Sequence, residues 1–320
     1  MSLSEHEQVV RRIAERREDM AALTADLVRI PTVNPPGDVY DDGARYIGAR
    51  LEKRGFGVEY LRAEGALGDS DAYPRTNIVA RIEGDGPGPC VHFNSHIDVV
   101  APSEGWTVDP FGGEIRDGRV YGRGACDMKG GLAASIVAVE AILDSGIPFP
   151  GAIEISGTVD EESGGYAGVA WLAERGYFSQ PRVDHVIIPE PLYKDAVCLG
   201  HRGVWWAEVE VKGRIAHGSM PFLGVSAIRG MGAFIEKVER ELYPRLEQRR
   251  TEMPVIPDAA RQSTLNFNSL HGGLPEQEYA DGFPSALVAD RCRIVLDRRY
   301  LIEENKENVR DEVVALLEDL

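Results

Sequence analysis

Asn94-Ser-His-Ile-Asp-Val-Val100 is the segment that says most about the fold, because a predicted strand at residues 89–93 leads directly into its histidine. Two further segments also carry side chains that can bind a metal. They are the glycine-rich Gly122-Arg-Gly-Ala-Cys-Asp-Met-Lys-Gly-Gly131 and, after another predicted strand, Asp160-Glu-Glu-Ser-Gly-Gly165. Together they supply one imidazole and five carboxylates, on His96, Asp98, Asp127, Asp160, Glu161 and Glu162. Oxygen ligands mixed with a histidine suit a divalent metal, zinc most often, with cobalt or manganese as alternatives. We therefore predict a hydrolytic metal centre.

Apolar runs of strand length alternate with helical patterns through the first part of the chain. Strands are predicted at residues 57–61, 77–82, 89–93, 153–159 and 185–188, and helices at residues 4–29, 41–53 and 130–144. This alternation predicts an α/β domain with a mixed sheet covered by helices on both faces. Open sheets of this kind bind ligands beyond the carboxyl ends of their strands. His96, the pair Glu161 and Glu162, and Glu190 all follow predicted strands, and Asp127 lies in a loop that opens a helix, so four segments converge on one sheet edge.

A different pattern begins near residue 200. Strands are predicted at residues 204–211, 263–270 and 287–297, and helices at residues 224–248 and 303–317. The first of these strands alternates apolar with polar residues, which is typical of a sheet with one face open to solvent. We therefore predict two domains: a metal-binding catalytic domain over residues 1–200 and a smaller α+β domain, ferredoxin-like in its element order, over residues 201–320.

Composition narrows the classes of partner. The 320 residues carry a formal net charge of −17, which argues against binding to nucleic acid or to an anionic membrane, since both need basic surfaces. The N-terminus lacks a secretory signal, and no apolar run is long enough to span a membrane. The four cysteines are widely spaced, which is typical of reduced thiols in a cytoplasmic protein.

The local spacings assign chemical roles within the predicted site. His96 and Asp98 point the same way in extended chain, so Asp98 can accept the second ring N–H of His96 and fix its tautomer. Glu161 and Glu162 must point apart, so one can bind metal while the other serves as a general base. Taken singly, each motif has a plainer interpretation: a His-x-Asp pair or an acidic turn is most often a solvated surface feature. His217 alone is most often a surface or packing histidine. The order and strand placement of the motifs together favour the metal site.

These motifs resemble those of the M20 metallopeptidases, a family that includes acetylornithine deacetylase, succinyl-diaminopimelate desuccinylase, aminoacylase and glutamate carboxypeptidase. The resemblance rests on Ser95-His-Ile-Asp98, Gly122-Arg-Gly-x-x-Asp-Met-Lys-Gly-Gly131, Asp160-Glu-Glu162 and Pro189-Glu-Pro191, which occur in the family's order. It implies a zinc-exopeptidase-like catalytic domain with two metal ions, and a lid domain through which the chain forms a homodimer.

The resemblance also implies a role for each site residue. His96 and Glu190 would bind one zinc, Asp127 would bridge both ions, and Glu162 would bind the second. Glu161 would be the general base and Asp98 would orient His96. In the lid, His217 would stabilise the tetrahedral intermediate, while Asn266 and Arg299 would hold substrate oxygens and the substrate carboxylate.

One departure from the family pattern concerns the second metal. Family members complete its ligand shell with a histidine near the C-terminus, and no histidine follows His271 in this chain. The expectation is therefore a catalytic domain without its C-terminal portion and a weakened second metal site.

The function implied is hydrolysis of the amide in a small N-acyl amino acid or a related acylated amine. Two alternatives stay open. One is a dipeptidase or carboxypeptidase of the same family, and the other is a non-catalytic binding homologue or fragment that lacks the second metal.

Overall fold

In the computed structural model, which describes residues 3–192, 196–273 and 286–320, the chain divides into two units, Met1–Ala196 and Val197–Leu320. Each unit has a hydrophobic core of its own, as an independent domain requires. The catalytic and lid roles of the two units, and the boundary at residue 200, stay predictions.

The N-terminal region forms two helices, α1 (Leu3–Glu15) and α2 (Arg17–Val28), so the single helix predicted over residues 4–29 is wrong. Arg16 lies between them with φ −96° and ψ 21°, outside the α-helical range. Its guanidinium lies 3.3 Å from the carboxylate of Glu140 and 3.1 Å from that of Asp144. These ion pairs with a distant helix accompany the break, and local periodicity cannot reveal them.

The first unit is built on a mixed five-stranded sheet. Its further elements are α3 (Tyr40–Glu52), β1 (Gly57–Arg62), β2 (Thr76–Glu83), β3 (Cys90–His96), β4 (Glu114–Arg116), β5 (Arg119–Tyr121), α4 (Gly130–Ser145), β6 (Ala152–Thr158), α5 (Val169–Glu174) and β7 (His185–Ile187). The sheet order is β1-β2-β6-β3-β7, in which β6, β3 and β7 are parallel and the other pairs antiparallel. The predicted mixed α/β architecture is confirmed, whereas α5 was not predicted.

The two faces of this sheet differ in character. Ile78 and Ile155 belong to one face, where they share a core with residues of α2, α3 and α4. The other face is polar around His92 and Glu154, both fully buried. It is contacted by the segment after β6, since Phe178 stacks near His92 at a ring distance of 4.8 Å. Helices α2, α3 and α4 thus cover one face of the sheet, and the segment that contains Phe178 contacts the other.

The parallel strands all end at the same edge of the sheet. β3 ends at His96, and the segments that follow β6 and β7 carry Glu161 and Glu190. Because parallel strands share a direction, their carboxyl ends bring these three side chains to one place. The convergence predicted from the sequence is thereby present in the fold.

The second unit is a three-stranded antiparallel sheet with helices on one face. Its elements are β8 (Gly203–Lys212), α6 (Ala227–Lys237), α7 (Tyr243–Glu247), β9 (Thr264–Gly272), β10 (Arg291–Tyr300) and α8 (Lys306–Glu318), with strand order β8-β10-β9. Residues of α6 and α8 share a core with inward-facing residues of the sheet. Trp206 on the opposite face is 48% exposed, so the predicted open face is present.

The boundaries of two elements in this unit differ from the predictions. The helix predicted over residues 224–248 begins later, at Ala227, because the Ser226 side chain accepts a hydrogen bond from the Arg229 N–H and caps it there. The strand predicted over residues 287–297 is displaced to Arg291–Tyr300. Across the described ranges, no helix is both long enough and apolar enough to cross a bilayer.

Candidate metal centre

His96, Asp127 and Glu190 form the centre of the site. One ligand atom from each lies within 4.8 Å of the others, a spacing at which a single ion can contact all three. His96 Nε2 lies 3.1 Å from Asp127 Oδ1 and 3.7 Å from Glu190 Oε1. An imidazole with carboxylates is a donor set that zinc and related divalent ions bind, so the residues present fit such a metal.

The loop that carries Asp127 approaches the Glu190 segment closely. Gly131 at the start of α4 lies so near the Pro189 carbonyl that a Cβ atom there would overlap it. Any other residue at Gly131 would push the two segments apart. The backbone N–H of His96 also contacts the Met128 sulfur, 3.2 Å away, which packs the end of β3 against this loop. Glycine and close packing thus bring three distant parts of the chain to one point.

Asp98 is a fully buried carboxylate that organises the site. It accepts hydrogen bonds from the backbone N–H groups of Glu161 and Glu162, at 3.2 and 3.1 Å, and from the Asn34 side chain at 3.0 Å. His96 Nδ1 lies 3.0 Å from the Asp98 carbonyl oxygen and 3.5 Å from the carboxylate. The predicted contact between these residues is present, but its nearer acceptor is the backbone carbonyl.

Glu161 and Glu162 occupy a tight turn after β6 and stand in different surroundings. Glu161 Oε2 lies 3.9 Å from His96 Nε2, and its side chain is 52% exposed. Burial, followed by the charge of Asp127, raises the pKa of Glu162 above its ordinary value. The general-base role of Glu161 and the ligand role of Glu162 stay predictions.

The electrostatics of the cluster are those of carboxylates crowded around one imidazole. Burial opposes the charged form of His96, but hydrogen bonds with Asp127 and Asp98 and neighbouring negative charges outweigh it and raise the pKa of His96 to about 11. Burial together with the charges of Asp127 and Glu161 raises the pKa of Glu190 to about 7. Repulsion of this kind among carboxylates is what a divalent cation relieves.

The three site residues predicted in the second unit are present on its surface. His217 is exposed, and its Nδ1 accepts the Ser219 N–H at 3.2 Å, which leaves the proton of a neutral ring on Nε2. Asn266 pairs in register with Asp297 on the open face of the sheet. Arg299 on the same strand is held by both carboxylate oxygens of Asp297, at 2.7 and 3.0 Å. The roles of these residues stay predictions.

Asn34 is a site residue that the sequence did not reveal. It is buried, and its side-chain amide donates to Asp98 and, at 2.9 Å, to the Ser163 hydroxyl. In the sequence Asn34 belongs to a proline-rich turn, Pro31-Thr-Val-Asn-Pro-Pro-Gly37, and its side chain has no predicted role. Because its partners lie far along the chain, local sequence gives no indication of its role.

A mixed sheet whose parallel strands end at a cluster of one histidine and several carboxylates defines a class of proteins, the metal-dependent hydrolases of the α/β type. Residues 92–317 match the model of peptidase family M20/M25/M40, and the chain belongs to that family. The resemblance inferred from the motifs, and with it the enzyme class of metal-dependent amidohydrolase, is confirmed.

Two curated relatives are succinyl-diaminopimelate desuccinylases. The one from Gluconobacter oxydans (strain 621H) is 37% identical over 279 residues, which cover 80% of this chain and 69% of the relative. The one from Rhodospirillum centenum (strain ATCC 51521 / SW) is 38% identical over 216 residues, covering 64% of this chain and 52% of the relative. The matched segments thus span from about half to slightly more than two thirds of the length of these relatives.

Solved structures share the fold at low sequence identity. The dipeptidase Dug1p from Saccharomyces cerevisiae matches with a TM-score of 0.75 and 18% identity, over 100% of this chain and 78% of that one. Human carnosine dipeptidase 1 matches with a TM-score of 0.73 and 20% identity, over 98% of this chain and 76% of that one. The YXEP protein of Bacillus subtilis is described as a dinuclear metal-binding peptidase of the M20 family. It matches with a TM-score of 0.54 and 15% identity, over 96% of this chain and 70% of that one.

Proposed function

We propose that this chain carries the metal-binding centre of a deacylase that hydrolyses the amide of a small N-acyl amino acid, with an N-succinylated amine as the favoured substrate. The observation that carries the proposal is the cluster of His96, Asp127 and Glu190 with the Glu161 carboxylate 3.9 Å from the same imidazole. Metal ligands and a free carboxylate at one point are the minimum that amide hydrolysis requires. The desuccinylase relatives support the choice of acyl group.

A bound divalent ion would supply Lewis-acid chemistry, polarising the amide carbonyl and lowering the pKa of water toward about 7. Glu161 takes the proton of the attacking water and returns it to the leaving amine, since its half-exposed carboxylate borders the cluster. His217 would donate a hydrogen bond from its Nε2–H to the developing oxyanion, without transferring the proton. Arg299 would bind the substrate carboxylate with its planar fork, in exchange for the Asp297 carboxylate that holds it now.

Zinc is the metal we propose, with cobalt or manganese as functional replacements, because the donors combine an imidazole with carboxylates. The first ion would be held by His96, Asp127 and Glu190. A second ion would share Asp127 and use Glu162, whose pKa is raised by burial and then by the charge of Asp127. The relation to a dinuclear metal-binding peptidase of the family supports two ions.

A panel of acylated amino acids tests the substrate assignment. The metal-loaded chain should release amine faster from N-succinyl substrates than from N-acetyl or N-formyl amino acids or from dipeptides, by a factor of about 10 or more, because a pocket that binds a substrate polar group discriminates against analogues without it. A chelator should abolish release and added zinc should restore it. Amine release is measured with a fluorogenic reagent.

Other results of this panel would contradict the proposal. Preferred cleavage of dipeptides would assign the chain to the peptidases of its family. If the chain binds metal but hydrolyses none of the substrates, the result would favour a non-catalytic binding protein. Glu161 argues against that second alternative, because a pure binding site has no use for a free carboxylate at the ligand cluster.

We also propose that the second unit mediates formation of a homodimer. Between Ile215 and Ile228 a run of apolar side chains is exposed, and among them Phe222 is 77% exposed. Exposed apolar surface of this extent commonly marks an interface. Phe222→Asp should therefore shift the chain toward monomer in analytical ultracentrifugation, whereas Leu67→Asp, at an equally exposed position of the first unit, should leave its mass unchanged. Equal sedimentation of the wild type and Phe222→Asp would contradict this interface.

We further propose that the protein works in the cytoplasm on a small-molecule substrate. All four cysteines are unpaired, which supports a reducing compartment such as the cytoplasm. The net charge of −17 supports a small-molecule substrate rather than a nucleic acid or a membrane surface.

A further inference from the structure

Arg75 is a buried cation beside the metal centre that none of the roles above involves. Its residue is 5% exposed, and its Nε donates to Asp160 Oδ2 at 2.8 Å. Its Nη1 donates to the carbonyl oxygens of Pro36 and Tyr73, at 2.8 and 3.1 Å. A Cβ atom at Gly37 would overlap the guanidinium, so the loops around Arg75 are closely fitted to it. Such a fit holds the cation in one position.

The partner of this cation is the first residue of the acidic turn. Asp160 is 4% exposed, and its second carboxylate oxygen accepts the Tyr40 hydroxyl at 2.9 Å. Its backbone has φ +61°, the left-handed region that costs a non-glycine residue about 1 kcal/mol or more. The two side-chain contacts to Asp160 therefore help to hold the chain in a conformation that it would not adopt alone.

The two catalytic carboxylates depend on this turn for their positions. Within the described ranges, neither the Glu161 nor the Glu162 carboxylate forms a hydrogen bond, whereas both of their backbone N–H groups donate to Asp98. The turn is thus held from two sides: Asp98 binds its amides, and Arg75 with Tyr40 binds the carboxylate of Asp160. A change on the Asp160 side would rotate the turn and move both carboxylates.

We infer that Arg75 is a positioning residue for Glu161 and Glu162, acting through Asp160. A guanidinium suits this position better than an ammonium, because it can bind a carboxylate and two carbonyl groups in fixed directions at once. Displacement of a catalytic group by about 1 Å is enough to lower a rate about 100-fold. The kinetic part of the inference rests on the proposed deacylase function, whereas the effect on metal coordination does not.

The test compares Arg75→Lys with Arg81→Met. Lysine keeps the buried charge, the melting temperature checks that each variant folds, and Arg75→Met serves as a more severe second variant. Arg81 is a matched control because it also pairs with a buried carboxylate, Glu154, across β2 and β6, but at the opposite end of these strands. For each protein the measurements are kcat and KM on the preferred panel substrate, the visible spectrum and affinity of bound Co²⁺, and the melting temperature.

We expect Arg75→Lys to lower kcat about 10-fold or more with KM changed less than about 2-fold, since positioning is expressed in the transition state. The Co²⁺ spectrum should change as well. Arg81→Met should lower the melting temperature and leave both kcat and the spectrum as in the wild type. Asp160→Asn should lower kcat, and adding it to Arg75→Lys should lower kcat no further, because coupled residues are not additive.

Wild-type kcat and an unchanged Co²⁺ spectrum in Arg75→Lys would overturn the inference and leave Arg75 a purely structural residue. If the reductions in kcat caused by Arg75→Lys and by Asp160→Asn multiply in the double variant, Arg75 does not act through Asp160. If the wild type hydrolyses no panel substrate, the proposed function fails, and the Co²⁺ spectra of the variants still decide the role of Arg75.

Discussion

Glu161→Gln is expected to lower kcat by about 10²–10⁴-fold while metal content stays that of the wild type, the range that loss of a general base produces. Glutamine keeps the size and hydrogen-bonding shape of the side chain but cannot accept the proton of water. The side chain is 52% exposed, so the fold should tolerate the change. The measurements are steady-state kinetics on the preferred substrate and metal analysis of the same protein.

Glu162→Gln is the matched control, since it makes the same substitution one position along the same turn. It should reduce metal content, because Glu162 is proposed as a ligand of the second ion. If Glu161→Gln instead lost metal and Glu162→Gln lost only turnover, the two roles would have to be exchanged. Undiminished activity in Glu161→Gln would show that neither the proton transfer nor its geometry involves this residue.

Asp127→Ala should weaken zinc binding by more than about 100-fold and abolish turnover. Loss of a residue that merely supports a ligand already costs about 10–100-fold in affinity, and Asp127 is proposed to contact both ions directly. Its side chain is 56% exposed and lies 3.1 Å from His96 Nε2. Removing it leaves no cavity but takes a hydrogen-bond partner from the buried His96, so the melting temperature of the metal-free protein should fall slightly.

Isothermal titration with zinc, followed by elemental analysis, measures this effect. Cys126→Ser is the control in the same loop, because Cys126 is exposed and is no part of the ligand cluster. It should bind zinc as the wild type does. Wild-type zinc affinity in Asp127→Ala would remove Asp127 from the ligand set and with it the proposed bridge between two ions.

The sequence could indicate the three proposed ligands because each of them is tied to a strong local pattern. His96 and Glu190 follow apolar runs, and Asp127 lies between glycines, so strand ends and a loop could be located without knowledge of their partners. The residues that hold Asp98 and Asp160 in place could not be predicted in this way. Asn34 and Arg75 become informative only through Asp98 and Asp160, which lie far from them in the chain.

The errors in the fold have the same origin. Periodicity predicts one N-terminal helix, whereas Arg16 interrupts it and pairs with Glu140 and Asp144 of another helix. In the second unit the pattern predicts a helix from residue 224, but the Ser226 cap sets the start at Ala227. Tertiary ion pairs and caps decide where elements begin and end, and hydrophobic patterns carry little information about them.

The parallel arrangement of β3, β6 and β7 has a consequence for how the chain folds. Parallel pairing joins segments that are distant in the chain. It forms slowly, because the entropy cost of loop closure comes before the stabilising contacts are made. The ligands at the ends of these strands come together only when the pairing is complete, so a metal ion would bind after the rate-limiting step. It would then lengthen the lifetime of the native state by slowing unfolding, and the rate of folding would be the same with metal as without it.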